Sequence, residues 1–304
     1  MSDFELDTAE STTTVEARNA PLPPAAPAAE PNAPSWHPCP TRADCPHCNA
    51  RGGEPLLDWS FLDAVYCISL KTRDDRATRV ADEFHRTGLC RYVQFYRPDK
   101  HPQKGVIGSW ESHRQVAMEA RRKGYRNALV FEDDVLFQRR ITPQRLAEIA
   151  VTMERLPSDW HIFYLGHWPV EAWLLRSNLL RTRSACAHAY VISERLMQWI
   201  EDHPYGTPGI PMTKIIGKAL DSAFSRLPGT YALMPMLATQ SVSAGDNFTY
   251  KPREKTKLKH WVTRSAHREF LLSNLMRPAE LIVVALSPVF WLRHKLRGWL
   301  GAAA

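Results

Sequence analysis

From Asp63 onward the apolar positions fall into short runs and helical stripes that take turns along the chain. Ala64-Val65-Tyr66-Cys67-Ile68-Ser69-Leu70 is a nearly unbroken apolar run rich in β-formers, the pattern of a strand covered on both faces. Between Arg76 and Thr87, Val80, Ala81 and Phe84 recur near the helical period and Gly88 stands ready to cap the end, so a helix is predicted. Arg91–Tyr96 predicts a second strand. Ser109–Lys123 predicts a helix with Ser109 as N-cap and Gly124 just past its end. Asn127–Phe131 predicts a third strand, and Thr142-Pro143, an N-cap followed by a first-turn proline, opens a helix reaching Arg155. Trp160–Leu165 and Ala187–Ile192 read as further strands, the second followed by a helix capped by Ser193. This alternation predicts an α/β fold, a mostly parallel sheet with helices on both faces, and places ligands beyond the carboxyl ends of the strands.

The two ends of the chain break the pattern and define a division into three parts. Residues 1–60 read as a disordered Pro/Ala-rich leader, because Pro21, Pro23, Pro24, Pro27, Pro31 and Pro34 favour extended conformers and bring few apolar side chains to offset ordering entropy. Residues 61–250 hold the α/β domain, and 251–304 form a basic, partly apolar tail. Within the leader, Cys45-Pro46-His47-Cys48 has the spacing of half a zinc site that His37 or Cys39 would help complete; the same residues also suit thiols in a loose linker.

Composition narrows the class further. Ten Trp and eleven Phe supply a sizeable core, and six Cys are too few to staple 304 residues. No apolar run approaches the roughly 18 residues of a spanning helix. The acidic opening Met1-Ser2-Asp3-Phe4-Glu5 lacks the apolar stretch of a secretory signal, so a reduced, cytoplasmic protein is expected. The net charge of +7 is uneven: residues 251–304 carry eleven Lys or Arg against three acids. A basic tail favours anionic surfaces and says nothing about the chemistry of the centre.

That chemistry is most concentrated at Glu132-Asp133-Asp134, directly after the third predicted strand. Three adjacent carboxylates repel one another unless something positive lies among them. In an extended chain Glu132 and Asp134 share a face, a geometry suited to a hard divalent cation that leaves positions open for phosphate oxygens. A solvated acidic loop is the bland alternative. The loop after the first strand adds Lys71, Arg73, Asp74, Asp75 and Arg76, where guanidinium groups can grip a diphosphate or pair with their own Asp neighbours. Gly105-Val106-Ile107-Gly108 before Ser109 offers a close backbone approach ahead of a helix N-terminus.

In order and spacing, Ile68-Ser69-Leu70…Arg73…Asp75-Arg76, Gly105…Gly108…Ser112-His113, and Leu129-Val130-Phe131-Glu132-Asp133-Asp134-Val135 resemble glycosyltransferase family 25, the lipopolysaccharide-biosynthesis and collagen-type β-galactosyltransferases. Tyr164-Leu165-Gly166, Ala189–Ser193 and Leu220-Asp221 extend the resemblance over roughly residues 64–250. Ser69 stands where the family has Asn, and Trp110-Glu111 replaces its small or aliphatic pair. The resemblance implies a GT-A-like, nucleotide-sugar-binding fold and an inverting transfer of a hexose, galactose by analogy, from a UDP-hexose to a glycan, lipid-linked or protein acceptor. It further implies Mn²⁺ or Mg²⁺ held by Asp134 and Glu132, donor contacts from Leu70, Arg73, Arg76, Gly108, Ser112, His113, Glu132 and Asp133, and Asp221 as catalytic base, with His188 and His113 as alternatives.

Two rival classes share these residues: a non-catalytic binding module that keeps the fold, and a metal-dependent phosphodiesterase or nuclease. Bases at Lys251, Arg253, Lys255, Lys257 and Lys259 with few aromatics do not suit base stacking, so no nucleic-acid partner is expected. Leu281–Leu292, nearly all apolar and flanked by Trp291, Arg293, Lys295, Arg297 and Trp299, suits either an interfacial anchor on the inner face of a membrane or a last helix packed on the core.

Overall fold

The computed structural model describes residues 36–40, 57–137, 141–210, 219–241, 281–282 and 284–301. Elements follow the order β1 (Trp36–Pro38), β2 (Ala64–Ile68), α1 (Asp74–Arg86), β3 (Val93–Tyr96), α2 (Gly105–Arg122), β4 (Asn127–Glu132), β5 (Val135–Phe137), α3 (Pro143–Glu154), β6 (Ile162–Arg176), β7 (Leu179–Ser193), α4 (Glu194–Asp202), α5 (Ala219–Phe224), β8 (Thr230–Leu233), β9 (Ala238–Gln240) and α6 (Ser287–Gly301). Seven strands form one sheet in the order β1-β3-β2-β4-β7-β6-β8, while β5 and β9 pair separately.

The central strands are apolar at consecutive positions because both their faces are covered. Val65 and Cys67 of β2 join a core with Val80, Ala81 and Phe84 of α1 and Leu146 and Ile149 of α3. Tyr66, between them, faces the other core, built with Trp110, Val116 and Ala120 of α2, Leu196, Met197 and Ile200 of α4, and Phe224 of α5. The chain is therefore an α/β protein with helices on both faces of a large sheet. Pairing is parallel across β3-β2-β4 and from β6 to β8. It is antiparallel from β4 to β7 and from β7 to β6, so the predicted strands at 160–165 and 187–192 are arms of a hairpin rather than crossover units.

That hairpin is far longer than the sequence pattern suggests, fifteen residues on each arm. Four register shifts bend it, as bulges do by adding local twist. As a result Leu179–Arg181, at the start of β7, curl round to pair with β8, which already pairs with β6 through Thr230–Ala232. β6, β7 and β8 thus close on one another.

Helix ends follow the capping expectations with one exception. Thr142 and Ser193 cap α3 and α4, their side chains accepting from the N–H groups of Arg145 and Leu196. Gly88, at φ 69°, follows α1 in the left-handed conformation that glycine tolerates best. The exception is α2, which starts at Gly105 with Lys104 as N-cap, five residues before the expected cap Ser109. The glycines of 105–108 therefore lie in a helical turn, not in a ligand-cradling loop. A Cβ at Gly108 would come within 2.8 Å of His101 Cβ, so this glycine answers a packing demand.

The leader boundary at residue 60 also shifts. Trp36–Pro38 forms an antiparallel edge strand on β3, and Cys39, Leu57 and Trp59 are buried in the first core. The Cys45/His47/Cys48 cluster and the lysines of 251–259 lie outside the described residues.

Candidate functional site

The acidic triplet lies where the parallel strands β2 and β4 end side by side: Ile68 is the register partner of Glu132. The chain turns at Asp133-Asp134 before β5, and that turn undoes the expected alternation of side chains. Asp133 and Asp134, not Glu132 and Asp134, share a partner. Arg76, from the first buried turn of α1, donates from Nη1 to Asp133 Oδ1 at 2.8 Å and lies 3.9 Å from Asp134 Oδ2. Its guanidinium supplies the positive charge that clustered carboxylates need. Both side chains of the closer pair are only 9% exposed. Burial pushes the Asp133 carboxyl up, against the pull of the Arg76 guanidinium beside it.

Asp134 is fixed from the far end of the domain. Gln240 Nε2 donates to its Oδ2 at 2.8 Å, and the Ser241 N–H donates to its carbonyl at 2.6 Å. The pairing of β5 with β9 creates this approach. Glu132 faces a different neighbour, with Oε1 3.4 Å from His113 Nε2 on α2. His113 is buried, and its Nδ1 meets the hydroxyl of Tyr190 on β7. Burial holds the Tyr190 phenol well above its ordinary range, so it stays neutral. Because a carboxylate only accepts, the neutral His113 tautomer that satisfies both contacts carries its proton on Nε2 toward Glu132 and accepts from Tyr190 at Nδ1. Tyr190, His113 and Glu132 form a relay from the core to the sheet edge.

Asp221, in the short helix α5, is 5% exposed and accepts the Ala187 N–H at 3.0 Å. Its charge also acts on Tyr190. His188 and His167 are fully buried nearby on the hairpin. Burial, with His188 adding, pushes His167 down to about 3, and neither of its ring nitrogens has a hydrogen-bond partner among the described residues.

The remaining predicted contacts are more dispersed. Arg73 is turned onto Asp75 through two hydrogen bonds of 2.8 and 2.9 Å, and the Asp75 carboxyl is held down to about 2 by that hydrogen bond. Leu70 contributes its carbonyl, which accepts from Arg97 at 3.0 Å. Ser112 donates to the Gly108 carbonyl at 2.6 Å within its own helix, and this contact faces the interior. Arg97 was missed by the sequence reading. It follows β3, holds the Leu70 and Lys71 carbonyls and pairs with Asp74, so it fixes the loop beside the triplet. The rule that singled out residues after β4 applies equally to Arg97. Gln240 carries no such local signal.

The structure thus brings together Arg76, Glu132, Asp133, Asp134 and His113 at one sheet edge. Among the described residues no three His, Cys, Asp or Glu side chains form a ready cation cage. Asp133 pairs with Arg76, while Glu132 meets His113 and Asp134 meets Gln240. Carboxylate oxygens are the ligand type that Mg²⁺ and Mn²⁺ prefer, with further positions open to phosphate oxygens. A crevice of about 450 Å³ lined by Arg121, His161, Glu194, Arg195 and Gln198 lies at the opposite end of the strands from this chemistry.

The sheet and its helices define an α/β protein with charged side chains gathered at one edge of the sheet. No family model matches the chain. Its path is similar to the solved structure of a glycosyltransferase involved in the glycosylation of the major capsid of PBCV-1, at 9% identity over 60% of this chain and 94% of that one, with a TM-score of 0.36. It is also similar to that of A197 from STIV, at 11% identity over 64% and 98%, with a TM-score of 0.37.

Proposed function

We propose that this protein is an inverting, divalent-cation-dependent glycosyltransferase of the family 25 type, moving a hexose from a nucleoside diphosphate sugar to a glycan, lipid-linked or protein acceptor. The observation that supports this best is the position of Glu132-Asp133-Asp134 at the carboxyl edge of parallel strands, where α/β sheets bind ligands, with Asp133 neutralised from within by Arg76.

Glu132 and Asp134 would hold Mg²⁺ or Mn²⁺. Bound there, the ion would neutralise charge on the departing diphosphate. Arg76 holds Asp133 and the turn, which keeps Asp134 facing the edge. Arg97 fixes the Leu70–Lys71 loop that would line the nucleotide. His113 directs Glu132 through its Nε2 proton. Asp221 would take the proton from the acceptor hydroxyl as that oxygen attacks the anomeric carbon from the face opposite the leaving group. The Ala187 N–H, which donates to it, would hold the carboxyl in place for that role.

The test is transfer or hydrolysis of UDP-hexoses by the full chain with and without Mn²⁺. Turnover that requires the cation is expected, with losses of about 100-fold or more in Asp134→Ala and Asp221→Asn. Undiminished activity in Asp134→Ala rejects the metal assignment. Calorimetric binding of UDP with Mn²⁺ but no transfer to any acceptor assigns the fold to a binding module instead.

A further inference from the structure

We propose that α6 and the tip of the β6–β7 hairpin form one composite surface that docks on an anionic lipid bilayer. The inner face of α6 is clasped by the hairpin: Ser287 Oγ accepts the Leu174 N–H at 2.7 Å, the His294 ring lies 4.7 Å from that of Trp173, and Arg293 pairs with Glu171 at 3.1 Å. On the opposite face Val289, Leu292 and Leu296, spaced i, i+3 and i+7, are 61%, 53% and 52% exposed. Leu281 and Ile282, on the approach to the helix, are exposed to a similar degree.

The hairpin adds to this surface from more than a hundred residues away in sequence. Leu174 and Leu175 at its tip are 42% and 46% exposed beside the start of α6. Between the two elements runs a crevice of about 410 Å³ lined by Trp173, Leu174, Val284, Pro288 and Trp291, apolar enough to accept part of an acyl chain. Exposed aliphatic side chains gathered from two separate elements mark an interaction surface rather than scattered surface apolar residues.

Charge selects the occupant. Residues 251–304 carry eleven Lys or Arg against three acids. Arg293 and Lys295 flank the apolar stripe on α6, and the Lys295 ammonium lies 5.9 Å from the Trp291 ring centroid. Leucines and valine bordered by cations and tryptophan suit acyl chains beneath anionic headgroups. No described helix is long and apolar enough to cross a membrane, and in this docking α6 would lie along the surface. Because the hairpin clasps the helix, the folded domain docks as a unit rather than trailing from a tether.

The experiment is flotation of the full chain with vesicles of phosphatidylcholine alone or of equal parts phosphatidylcholine and phosphatidylglycerol. Flotation with the anionic vesicles, weakened by salt and by omission of phosphatidylglycerol, is expected. Leu292→Glu/Leu296→Glu and, separately, Leu174→Glu/Leu175→Glu should each lower partitioning about tenfold or more while leaving circular dichroism and the thermal transition unchanged. Binding to neither vesicle, or equal binding to both, overturns the proposal. Wild-type partitioning by the folded hairpin variant overturns the composite surface. A concentration-dependent dimer abolished by the same substitutions assigns the face to a second copy of the chain and overturns lipid docking. None of these outcomes depends on transferase activity.

Discussion

Replacing Arg76 by Met tests whether one guanidinium holds the acidic turn together. The substitution keeps much of the side chain's apolar bulk and removes the charge that lies 2.8 Å from Asp133 Oδ1. Both partners are 9% exposed, so Asp133 is left nearly dry and without its counter-charge. Breaking a buried pair from one side costs about 3–5 kcal/mol. With a urea dependence of about 2–3 kcal/mol per molar, the unfolding midpoint should fall by about 1–2 M. Asp133→Leu should cost less, because Asp134 remains 3.9 Å from Arg76 and still offers it a counter-charge. The double variant Arg76→Met/Asp133→Leu removes both charges and should recover stability to within about 1–2 kcal/mol of wild type, a strongly non-additive result. Urea unfolding of the four proteins, followed by tryptophan fluorescence and circular dichroism, measures the cycle. Wild-type stability in Arg76→Met, or simple additivity of the two changes, would refute the view that Arg76 is the turn's resident counter-charge.

Other consequences are equally direct. His167 titrates at about 3 when folded against 6.5 as its ordinary value. The unfolded chain therefore binds the extra proton between these limits, and stability falls as pH drops through that window, by up to about 1.4 kcal/mol per pH unit. His167→Leu should flatten the slope of unfolding free energy against pH, and an unchanged slope counts against the burial argument. Tyr190→Phe removes the hydroxyl that meets His113 Nδ1 and should cost about 1–2 kcal/mol. Nitrogen NMR of His113 should then show loss of a single Nε2–H tautomer; identical spectra in the two proteins would dissolve the relay.

The sequence made the central layer readable because its signals are local. Consecutive apolar residues in β2 and β4, the stripe of α1, and the capping residues Thr142 and Ser193 each settle a few neighbouring positions. The hairpin was half hidden, since Pro169 and charged residues such as Glu171, Arg181 and Arg183 interrupt its apolar runs, and its bends answer to pairing with β8. Gly105 and Gly108 read as a loop because the reason for Gly108, contact with His101, belongs to tertiary packing. The acidic triplet was found by composition and position, yet its internal arrangement was not: the turn at Asp133-Asp134 and the reach of Arg76 over 57 residues and Gln240 over 106 are set by the sheet, not by spacing in the chain.

The short first strand has a consequence for how this protein avoids sticking to itself. Trp36–Pro38 shields the outer rim of β3, and the Trp36 ring covers those of Tyr66 and Tyr96 at 5.3 and 5.0 Å. Pro38 and the three-residue length make the new rim a poor template for further strands. Shortening the chain past this point would uncover unpaired peptide groups beside bare aromatic rings, the circumstance in which sheets recruit one another into fibres.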